Sequence, residues 1–533
     1  MKQIIIALVS VLLVAGLALA DRQEQEDTVW NLQEIVITAT RTPHLLNDVP
    51  VETVVITKAE IEKMNARNVV DVLKNVAGVN VSVHDDVFGT YTWRANMRGL
   101  SFNNGYGLIL IDGQRVMGSG QSGGMGEYGI GLNQISLDMV EKIEVVKGPS
   151  SALYGSDAIT GVINIFTKKT PEKATANTGA TYGWYKIKEK VRDGAVAKPS
   201  DDGQSRNISQ TYVSFGDKVS DRFGYFVHYN YESAEDTGRS PIKSDRHFFM
   251  GKINADVSRK MDFFLKTELS KYEKTDNREE DSYRVSVGVD FYPSDKRLFS
   301  LKGYKYVWDF THGYPGYSYG YKHGDIGYTQ AEVQYTWYTT DWNTITAGGE
   351  IQKQSMDYAI ENPDGSIVNV EKDVDTISLY MQDEIGLSES LTLIGGARYD
   401  HHSYFGSEVN PKISLMYRFS GDTIFRASAG RAFKSPTIRE LYYDAPYKHG
   451  GFYYMSNPDL KPEKAIGYSA SIERWLFNRR ALLNIGYFRN DVKDMVTRED
   501  TGDTYNGLPL KEYKNVDNAS YIPHNKRCKF WNY

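Results

Sequence analysis

The amino-acid sequence predicts a mainly β protein in which a small α/β domain precedes an antiparallel transmembrane β-barrel. The chain is polar, with a mean hydropathy of −0.48, yet it contains 38 Tyr and 21 Phe. A barrel with a polar lumen, alternating strands and aromatic girdles has this composition. From Ala174 onward, alternating segments separated by polar turns replace a region of mixed helical and strand patterns. A soluble all-β protein remains an alternative on composition alone.

The first twenty residues have the pattern of a secretory signal peptide. Lys2 gives a positive start, residues 4–17 are apolar, and residues 18–20 fit a small-x-small cleavage site before Asp21. The alternative is a membrane anchor, but the apolar run is short for a span of about 20 residues. We therefore expect residues 1–20 to be a signal peptide. We find no later long apolar run. An exported chain of this kind could therefore be secreted, reside in the periplasm or form an outer-membrane barrel.

Cysteine usage, charge and motif spacing argue against several classes of function. The single cysteine, Cys528, cannot form a disulfide framework, and a net charge of −6 offers no basic footprint for nucleic acid. Residues 105–107 begin like a dinucleotide loop, but a strand pattern follows instead of a helix. Residues 148–152 nearly match a G-x-S-x-G elbow, but Ala152 replaces the last glycine and no strand–turn–helix setting is evident. We expect no enzyme activity, no catalytic cofactor, no metal site and no nucleic-acid partner.

The α/β region begins with a strand, two helices and another strand. Val54–Ile56 is β-branched, and Thr57 with Glu60 forms the capping-box pattern that begins a helix. A second helix is predicted over 68–75, ending near Gly78, and residues 79–83 alternate as a strand. Two further strand-like runs, 142–147 and 161–167, then flank an elbow rich in Gly, Pro and Ser.

Several motifs in this region occur in the order found in one known family. An Arg-Gly element at 98–99 is followed by an Ile-Asp-Gly hairpin at 111–113, where Gly113 supplies the positive φ of a tight turn. With the elbow, these motifs closely resemble the plug domain of TonB-dependent outer-membrane receptors. The resemblance covers nearly all of 32–171 and implies that residues 46–171 form a plug inside the barrel. The plug-motif residues are Arg98, Gly99, Asp112, Gly113, Arg115, Gly148, Pro149, Tyr154 and Gly155.

The resemblance also implies a role for two of the plug arginines. Arg98 and Arg115 look like residues that pair with carboxylates of the barrel, because guanidinium forks suit polar contacts to a removable plug. Ordinary surface salt bridges, which contribute little, are the alternative for either residue.

The N-terminal segment 21–45 contains a β-branched run that is similar to the TonB box of the family. The alternative is an ordinary first strand, but an extended segment can also add to a partner's sheet edge. The partner implied is a TonB-type energy-transducing protein of the inner membrane. The box residues are Glu34, Ile35, Val36, Ile37, Thr38, Ala39 and Thr40.

Residues 172–519 are predicted to form the barrel, after a linker at 169–173. Residues 200–206 and 361–372 are loop-like and expected outside the cell, whereas 420–423 and 478–480 are expected to be short turns. About fifteen or sixteen strands are counted, whereas family barrels close with about 22. We therefore expect a truncated chain with an atypical tail at 520–533. The clearest strands are 211–216, 223–231, 247–257, 261–269, 283–292, 298–308, 331–338, 376–381, 391–399 and 413–419.

The cargo is predicted from motifs in the barrel. Phe433–Pro436 and Asn457–Leu460 are similar to the FRAP-like and NPNL-like elements of haem receptors, and they bracket His449. Lys434, Ser435 and Asp459 depart from that pattern. His449 and His84 are the candidate haem ligands, because haem iron takes a neutral imidazole. Both could instead be surface loop histidines, and aromatic residues 452–454 could form a general cargo platform.

The resemblance implies active import across the outer membrane of a Gram-negative cell, in contact with outer-membrane lipid. Haem is the first cargo, followed by a ferric siderophore, with cobalamin behind. A passive porin or structural barrel is the main rival of another class, and the plug motifs argue against it. A signalling transducer would need an additional N-terminal domain, for which residues 21–33 leave no space. A soluble secreted binder or enzyme would not remain in outer-membrane fractions after alkaline washing.

Overall fold

The protein consists of a small mixed unit followed by a large antiparallel sheet. The computed structural model describes residues 35–82, 94–116, 132, 135–185, 191–192, 195–196, 206–235, 243–275, 278–313, 320–478, 480–516 and 519–521. No helix among them has the length and apolar character needed to cross a membrane. The predicted signal peptide, Glu34, His84 and nearly all of the tail lie outside these residues.

The small unit is built around a five-stranded sheet with the strand order β3-β9-β10-β7-β8. A β1–β2 hairpin and a three-stranded β4-β5-β6 sheet accompany it. The strands are β1 Ile35–Val36, β2 His44–Leu45, β3 Thr53–Thr57, β4 Val79–Ser82, β5 Arg94–Met97, β6 Leu100–Ser101, β7 Gly107–Ile111, β8 Gln114–Arg115, β9 Val140–Lys147 and β10 Gly161–Thr167. The helices are α1 Lys58–Lys63, α2 Val69–Leu73 and α3 Ser151–Tyr154, with 3-10 turns at Leu46–Asp48, Phe102–Asn104 and Leu137–Met139.

Local sequence signals explain these elements. Thr57 and Glu60 make the predicted capping box at the start of α1, and Gly113 has the predicted positive φ of 80°. Strand β10 pairs parallel to β7 and antiparallel to β9, which places three apolar strands at the centre of the unit. At Gly161 a Cβ would lie 2.2 Å from the Val146 carbonyl oxygen, so only glycine fits there. The expectation that residues 148–152 lack a strand–turn–helix setting was wrong, because α3 follows β9 through a turn.

Within the described residues the large sheet contains 16 strands, and neighbouring strands follow the chain order. Its two end strands, β11 and β32, do not pair with each other within the described part of the chain. The sheet strands are β11 Thr175–Tyr185, β14 Arg206–Ser220, β15 Phe223–Glu235, β16 Lys243–Ser258, β17 Met261–Lys274, β18 Arg278–Ser294, β19 Arg297–His312, β20 Tyr321–Thr340, β21 Asn343–Glu361, β22 Ile367–Ser388, β23 Leu391–His402, β24 Gly406–Ser420, β25 Thr423–Lys434, β28 Glu463–Leu476, β29 Ala481–Lys493 and β32 Ala519–Tyr521.

The remaining elements belong to connections between these strands. A two-stranded piece joins β12 Val191–Arg192 to β13 Ala195–Val196. Helix α4 Ile438–Tyr442 begins at a second capping box, made by Thr437 and Glu440. A four-stranded loop sheet combines β26 Tyr447–His449, β27 Phe452–Met455, β30 Met495–Tyr505 and β31 Leu508–Val516.

The ends of the large sheet differ in their connections. Tight turns such as 221–222, 259–260 and 341–342 lie at one end, which we call the short-turn end, and the loop sheet lies at the other, the long-loop end. The ten predicted barrel strands all fall within observed strands, and 169–173 is a strand-free linker as expected. The predicted loop at 361–372 was partly wrong, because β22 already begins at Ile367.

The small unit packs against the buried face of the large sheet. Alternate residues of β15 and β16 are buried, as the two-residue period of a strand requires. Phe226, Phe248 and Met250 from these strands join the apolar core of the small unit. The two units therefore share one core, and polar contacts between them define the candidate site.

Candidate functional site

The box segment folds back on itself as a short hairpin. Ile35 and Val36 pair antiparallel with Leu45 and His44, and the Arg41 amide donates to the Ile37 carbonyl over 2.7 Å. Residues 38–40 therefore form a turn. Among the described residues of the box, Ile35 and Val36 lie in a strand and the remainder do not.

The middle of the box is buried against the small unit. The Glu144 carboxylate accepts from the amides of Ile37 and Thr38 over 3.2 and 2.9 Å. Tyr154 donates its hydroxyl proton to the Thr38 carbonyl over 2.8 Å, and the Asn164 amide donates to the Thr38 hydroxyl over 3.0 Å. Burial raises the pKa of Tyr154, so its hydroxyl stays a donor. The predicted box and the predicted elbow residue Tyr154 are thus in direct contact.

Arg41 follows the box and anchors it to the large sheet. Its guanidinium pairs with Glu332 and lies 3.6 Å from Glu350, and it stacks 4.5 Å from the Tyr380 ring centroid. Burial alone would lower the pKa of Arg41, but Glu332 and its neighbours raise it well above the usual value. The backbone of Arg41 has a φ of 61°, which a non-glycine residue rarely adopts. Tertiary contacts therefore hold this residue in a strained conformation.

Residues on both sides of Arg41 form a second anchor. The Thr42 hydroxyl donates to Glu384 over 2.7 Å, and His44 Nε2 lies 2.6 Å from the same carboxylate. The Gln382 side chain donates to the Thr40 carbonyl over 3.0 Å. Burial acts to lower the pKa of His44, but the hydrogen bond and charge of Glu384 outweigh it, and the pKa is raised. The contact between His44 and Glu384 thus joins the two units, as an ion pair when His44 is protonated.

The predicted plug-motif residues occupy turns and sheet edges of the small unit. Arg98 and Gly99 form the β5–β6 turn, Asp112 and Gly113 form the β7–β8 turn, and Arg115 lies in β8. Gly148 and Pro149 connect β9 to α3, Tyr154 ends α3, and Gly155 follows it with a φ of 72°. A Cβ at Gly155 would lie 3.1 Å from the Arg398 guanidinium, so this glycine permits a close approach to β23.

The expected pairing of the plug arginines with barrel carboxylates was wrong. Arg98 pairs with Glu52 over 2.8 Å, and Arg115 pairs with Asp157 over 3.2 Å, so both partners belong to the small unit. Lys147 also contacts Glu52 over 2.7 Å. Burial would raise the pKa of Glu52, but Lys147 and Arg98 lower it to about 2. These arginines stabilise the small unit internally.

Other residues carry the ion pairs between the two units. Asp112 accepts from Lys266 of β17 over 2.7 Å, and Arg398 of β23 donates to the Leu153 carbonyl over 3.2 Å. Arg398 is itself held by Glu350 over 3.1 Å and by Asp400 over 2.7 Å. Since Glu350 also lies near Arg41, the box anchor and the α3 contact share one buried network.

The two barrel motifs meet near the long-loop end. The second motif continues beyond Leu460 to Glu463 in the sequence NPDLKPE. Lys434 of the first motif, Phe433–Pro436, pairs with Glu463 over 2.6 Å. Tyr106 of the small unit donates to the same carboxylate over 2.7 Å. Burial raises the pKa of Tyr106. The motifs therefore form a buried ion pair that also holds the small unit, which is a structural role that the sequence analysis did not assign.

The two candidate haem ligands are not brought together by the described structure. His84 lies outside the described residues. His449 ends β26, where its backbone pairs with Phe452 of β27, and its side chain is not among those described. Nearby, the hydroxyls of Tyr447 and Tyr513 lie 2.9 Å apart. In the portion that the structure covers, no three His, Cys, Asp or Glu side chains are grouped to hold a metal ion.

Several residues of the site escaped sequence reasoning. Glu144, Glu332, Glu350 and Glu384 each lie on a strand, and their partners in the box segment are more than 100 positions away. One signal was available, since Glu144 interrupts the β-branched run of β9 with a charge. A charge on a buried strand requires a compensating partner.

The chain matches two family models. One, the TonB-dependent receptor plug domain, matches residues 46–162, and the other, a TonB dependent receptor-like beta-barrel, matches residues 175–522. Among curated relatives, the vitamin B12 transporter of Vibrio vulnificus is 26% identical over 96% of this chain and 77% of its own length. An iron-regulated outer membrane virulence protein of Vibrio cholerae is 24% identical over 92% of this chain and 73% of its own.

Solved structures share the fold at lower identity. A mutant of the ferric enterobactin receptor from Pseudomonas aeruginosa superposes with a TM-score of 0.72 at 19% identity, covering 88% of this chain and 76% of that one. The siderophore receptor PirA from Acinetobacter baumannii gives 0.72 at 17% identity, covering 88% and 76%. These likenesses establish the architecture of a plug with an antiparallel barrel sheet.

Proposed function

This chain belongs to the TonB-dependent receptors of the Gram-negative outer membrane, and we propose that it imports an iron-containing nutrient by energy-coupled uptake. The proposal rests on the contacts of the box segment. This segment is joined both to the small unit through Tyr154 and to the large sheet through Arg41. A pull on this segment therefore acts on both units. The partner that pulls is a TonB-type protein of the inner membrane.

The energetics of uptake explain why such a coupling is needed. A cargo bound at about 1 nM is held by about 12 kcal/mol, so its release on the periplasmic side requires work. We place the short-turn end, which holds the box, in the periplasm and the long-loop end outside. In this proposal residues 1–20 are the signal peptide, 21–45 carry the box, 46–171 are the plug and 172–519 belong to the barrel.

A ferric siderophore is the first cargo that we propose. Solved relatives are described as receptors for ferric enterobactin and other siderophores, and a curated relative is described as iron-regulated. The loop sheet at the long-loop end supplies aromatic and cationic groups, such as Lys511, whose ammonium lies 4.1 Å from the Phe452 ring centroid. Aromatic faces and cations suit aromatic anionic chelators.

Haem is the second candidate, favoured by the position of His449. This residue ends β26 beside Phe452 in the loop sheet, where an imidazole could serve as an axial ligand. His84 remains the predicted second ligand. Cobalamin is the third cargo, since a curated relative is described as a vitamin B12 transporter.

Ligand titration of the refolded receptor tests the proposal. Haem is followed by its Soret band, with His449→Ala and His84→Ala alongside, and His401→Ala on the exposed face of β23 as the matched control. Ferric enterobactin and cobalamin are followed by quenching of tryptophan fluorescence. Saturable haem binding that weakens in His449→Ala and His84→Ala but not in His401→Ala establishes haem as the cargo. Binding of ferric enterobactin with no Soret change establishes a siderophore, and binding of none of the three probes contradicts the proposed cargo.

A further inference from the structure

A cavity of about 630 Å³ lies between the small unit and the large sheet at the short-turn end. Its walls come from the box segment, from the β7–β8 hairpin, from the 169–172 linker and from strands β14, β15, β16, β17, β19 and β20. The volume falls within the range of about 300–1,000 Å³ found for small-molecule sites. The cavity lies below the plug hairpin, on the side from which imported cargo would leave.

The lining of this cavity is predominantly cationic. It carries seven basic and four acidic side chains. Lys252 of β16, Lys266 of β17 and Lys302 of β19 are among the lining residues. Lys266 is buried, with a side chain 5% exposed, whereas Lys302 is half exposed. A cleft lined by one sign of charge concentrates ligands of the opposite sign.

One plug carboxylate neutralises the buried end of this lysine row. Asp112 lies 2.7 Å from Lys266 and 3.8 Å from Lys252, and it also accepts from the Thr167 amide over 2.8 Å. Burial acts to raise the pKa of Asp112, but the two lysines hold it well below its usual range. The carboxylate is therefore an anion bound by barrel lysines, and it sits on a hairpin turn of the plug.

We propose that Lys252, Lys266 and Lys302 form an anion site along the cavity wall. At rest Asp112 occupies its Lys252–Lys266 part, and during passage an anionic iron complex takes the place of Asp112. If the plug hairpin withdraws, Lys252 and Lys266 lose this carboxylate. Glu268, 2.9 Å from Lys266 and 3.2 Å from Arg284, stays in place, so the cluster is left with an excess of buried positive charge, which is unfavourable. A complex that carries catecholate or carboxylate oxygens supplies the missing charge. The inference rests on the proposed import function, and it specifies the charge of the cargo that the path favours.

Thiol labelling tests the charge preference without transport. In a full-length Cys528→Ser background, Gln330→Cys places a reporter on the cavity wall, on β20. Negatively and positively charged methanethiosulfonates of similar size are compared by their labelling rates. We expect the anionic reagent to react about tenfold faster in the parent. The Lys252→Gln/Lys266→Gln variant should bring this ratio towards one.

Two further variants sharpen the result. Asp112→Asn removes the resident anion while keeping the lysines, so the ratio should rise above that of the parent. Lys353→Gln, which removes an exposed lysine paired with Asp373, is the matched control and should leave the ratio unchanged. Equal rates for the two reagents in the parent would overturn the anion site. So would a ratio that stays unchanged in both the double lysine variant and Asp112→Asn. Absence of uptake by the parent would instead contradict the proposed function, which the labelling ratio does not involve.

Discussion

Replacement of Arg41 by alanine tests whether the residue after the box holds the segment in the barrel. The guanidinium is buried between Glu332, Glu350 and the Tyr380 ring. Removal of one partner from a buried ion pair costs about 3–5 kcal/mol, because the other charge is left uncompensated. Since about 1.4 kcal/mol is a factor of ten, the detached fraction of the segment should rise by about a hundredfold or more. Alanine has the same difficulty as arginine with a φ of 61°, so the change measures the side-chain contacts.

The detached fraction is measured by thiol labelling at the box. In a Cys528→Ser background, Ala39→Cys introduces a thiol at a position that is 3% exposed, so it reacts mainly when the segment detaches. Arg489→Ala is the matched control, since Arg489 pairs with Asp491 on an exposed face. Exposed pairs contribute about 0–1 kcal/mol, and this variant should change the rate little. An Arg41→Ala rate no faster than that of the control would refute the anchor.

Three further substitutions have defined outcomes. The pKa of Glu52 is lowered from 4.5 to about 2, so its contribution to the unfolding free energy is full above pH 4.5 and is lost as the pH falls towards 2. In Glu52→Gln, the unfolding free energy measured with denaturant should lose this pH dependence and should be about 3 kcal/mol lower at neutral pH. Lys434→Met should lower the unfolding free energy by about 3–5 kcal/mol, because the buried Glu463 carboxylate loses its cationic partner. Adding Glu463→Gln should recover much of the loss, and no recovery would count against the pair. Gly161→Ala should make the plug sensitive to protease, because its Cβ would collide with the Val146 carbonyl oxygen. Gly183→Ala, where a Cβ meets nothing within 4 Å, should not. Equal protease resistance of the two variants would contradict this packing.

Local signals predicted the elements well where they are set by neighbouring residues. The Thr57 capping box, the Gly113 turn and the two central strands of the plug follow from short-range patterns. The length of the barrel strands did not. Strand β22 extends over Ile367–Ser388, although its charged residues at 371–375 have the composition of a loop. Backbone pairing with β21 continues through this stretch, whereas pairing with β23 begins at Thr376. Exposed charges therefore do not prevent the β21–β22 ladder from forming.

The site was harder to predict because its contacts join distant parts of the chain. The box was found from its pattern and position, but its burial depends on Glu144, 106 positions away from Thr38. The plug arginines were assigned to the wrong partners for the same reason. A guanidinium pairs equally well with any carboxylate that the fold brings near, and only the sheet topology decides that Arg98 meets Glu52.

Deletion of residues 34–40 tests the central claim of energy-coupled import most directly. Binding and uptake of an iron-labelled cargo are measured together, with whichever probe saturates the receptor in titration. Replacement of the same seven residues by a Gly-Ser linker of equal length controls for chain length. We expect both variants to keep binding at the long-loop end and to lose uptake, because the segment that transmits the pull is gone. Uptake that survives the deletion would show that import does not depend on the box.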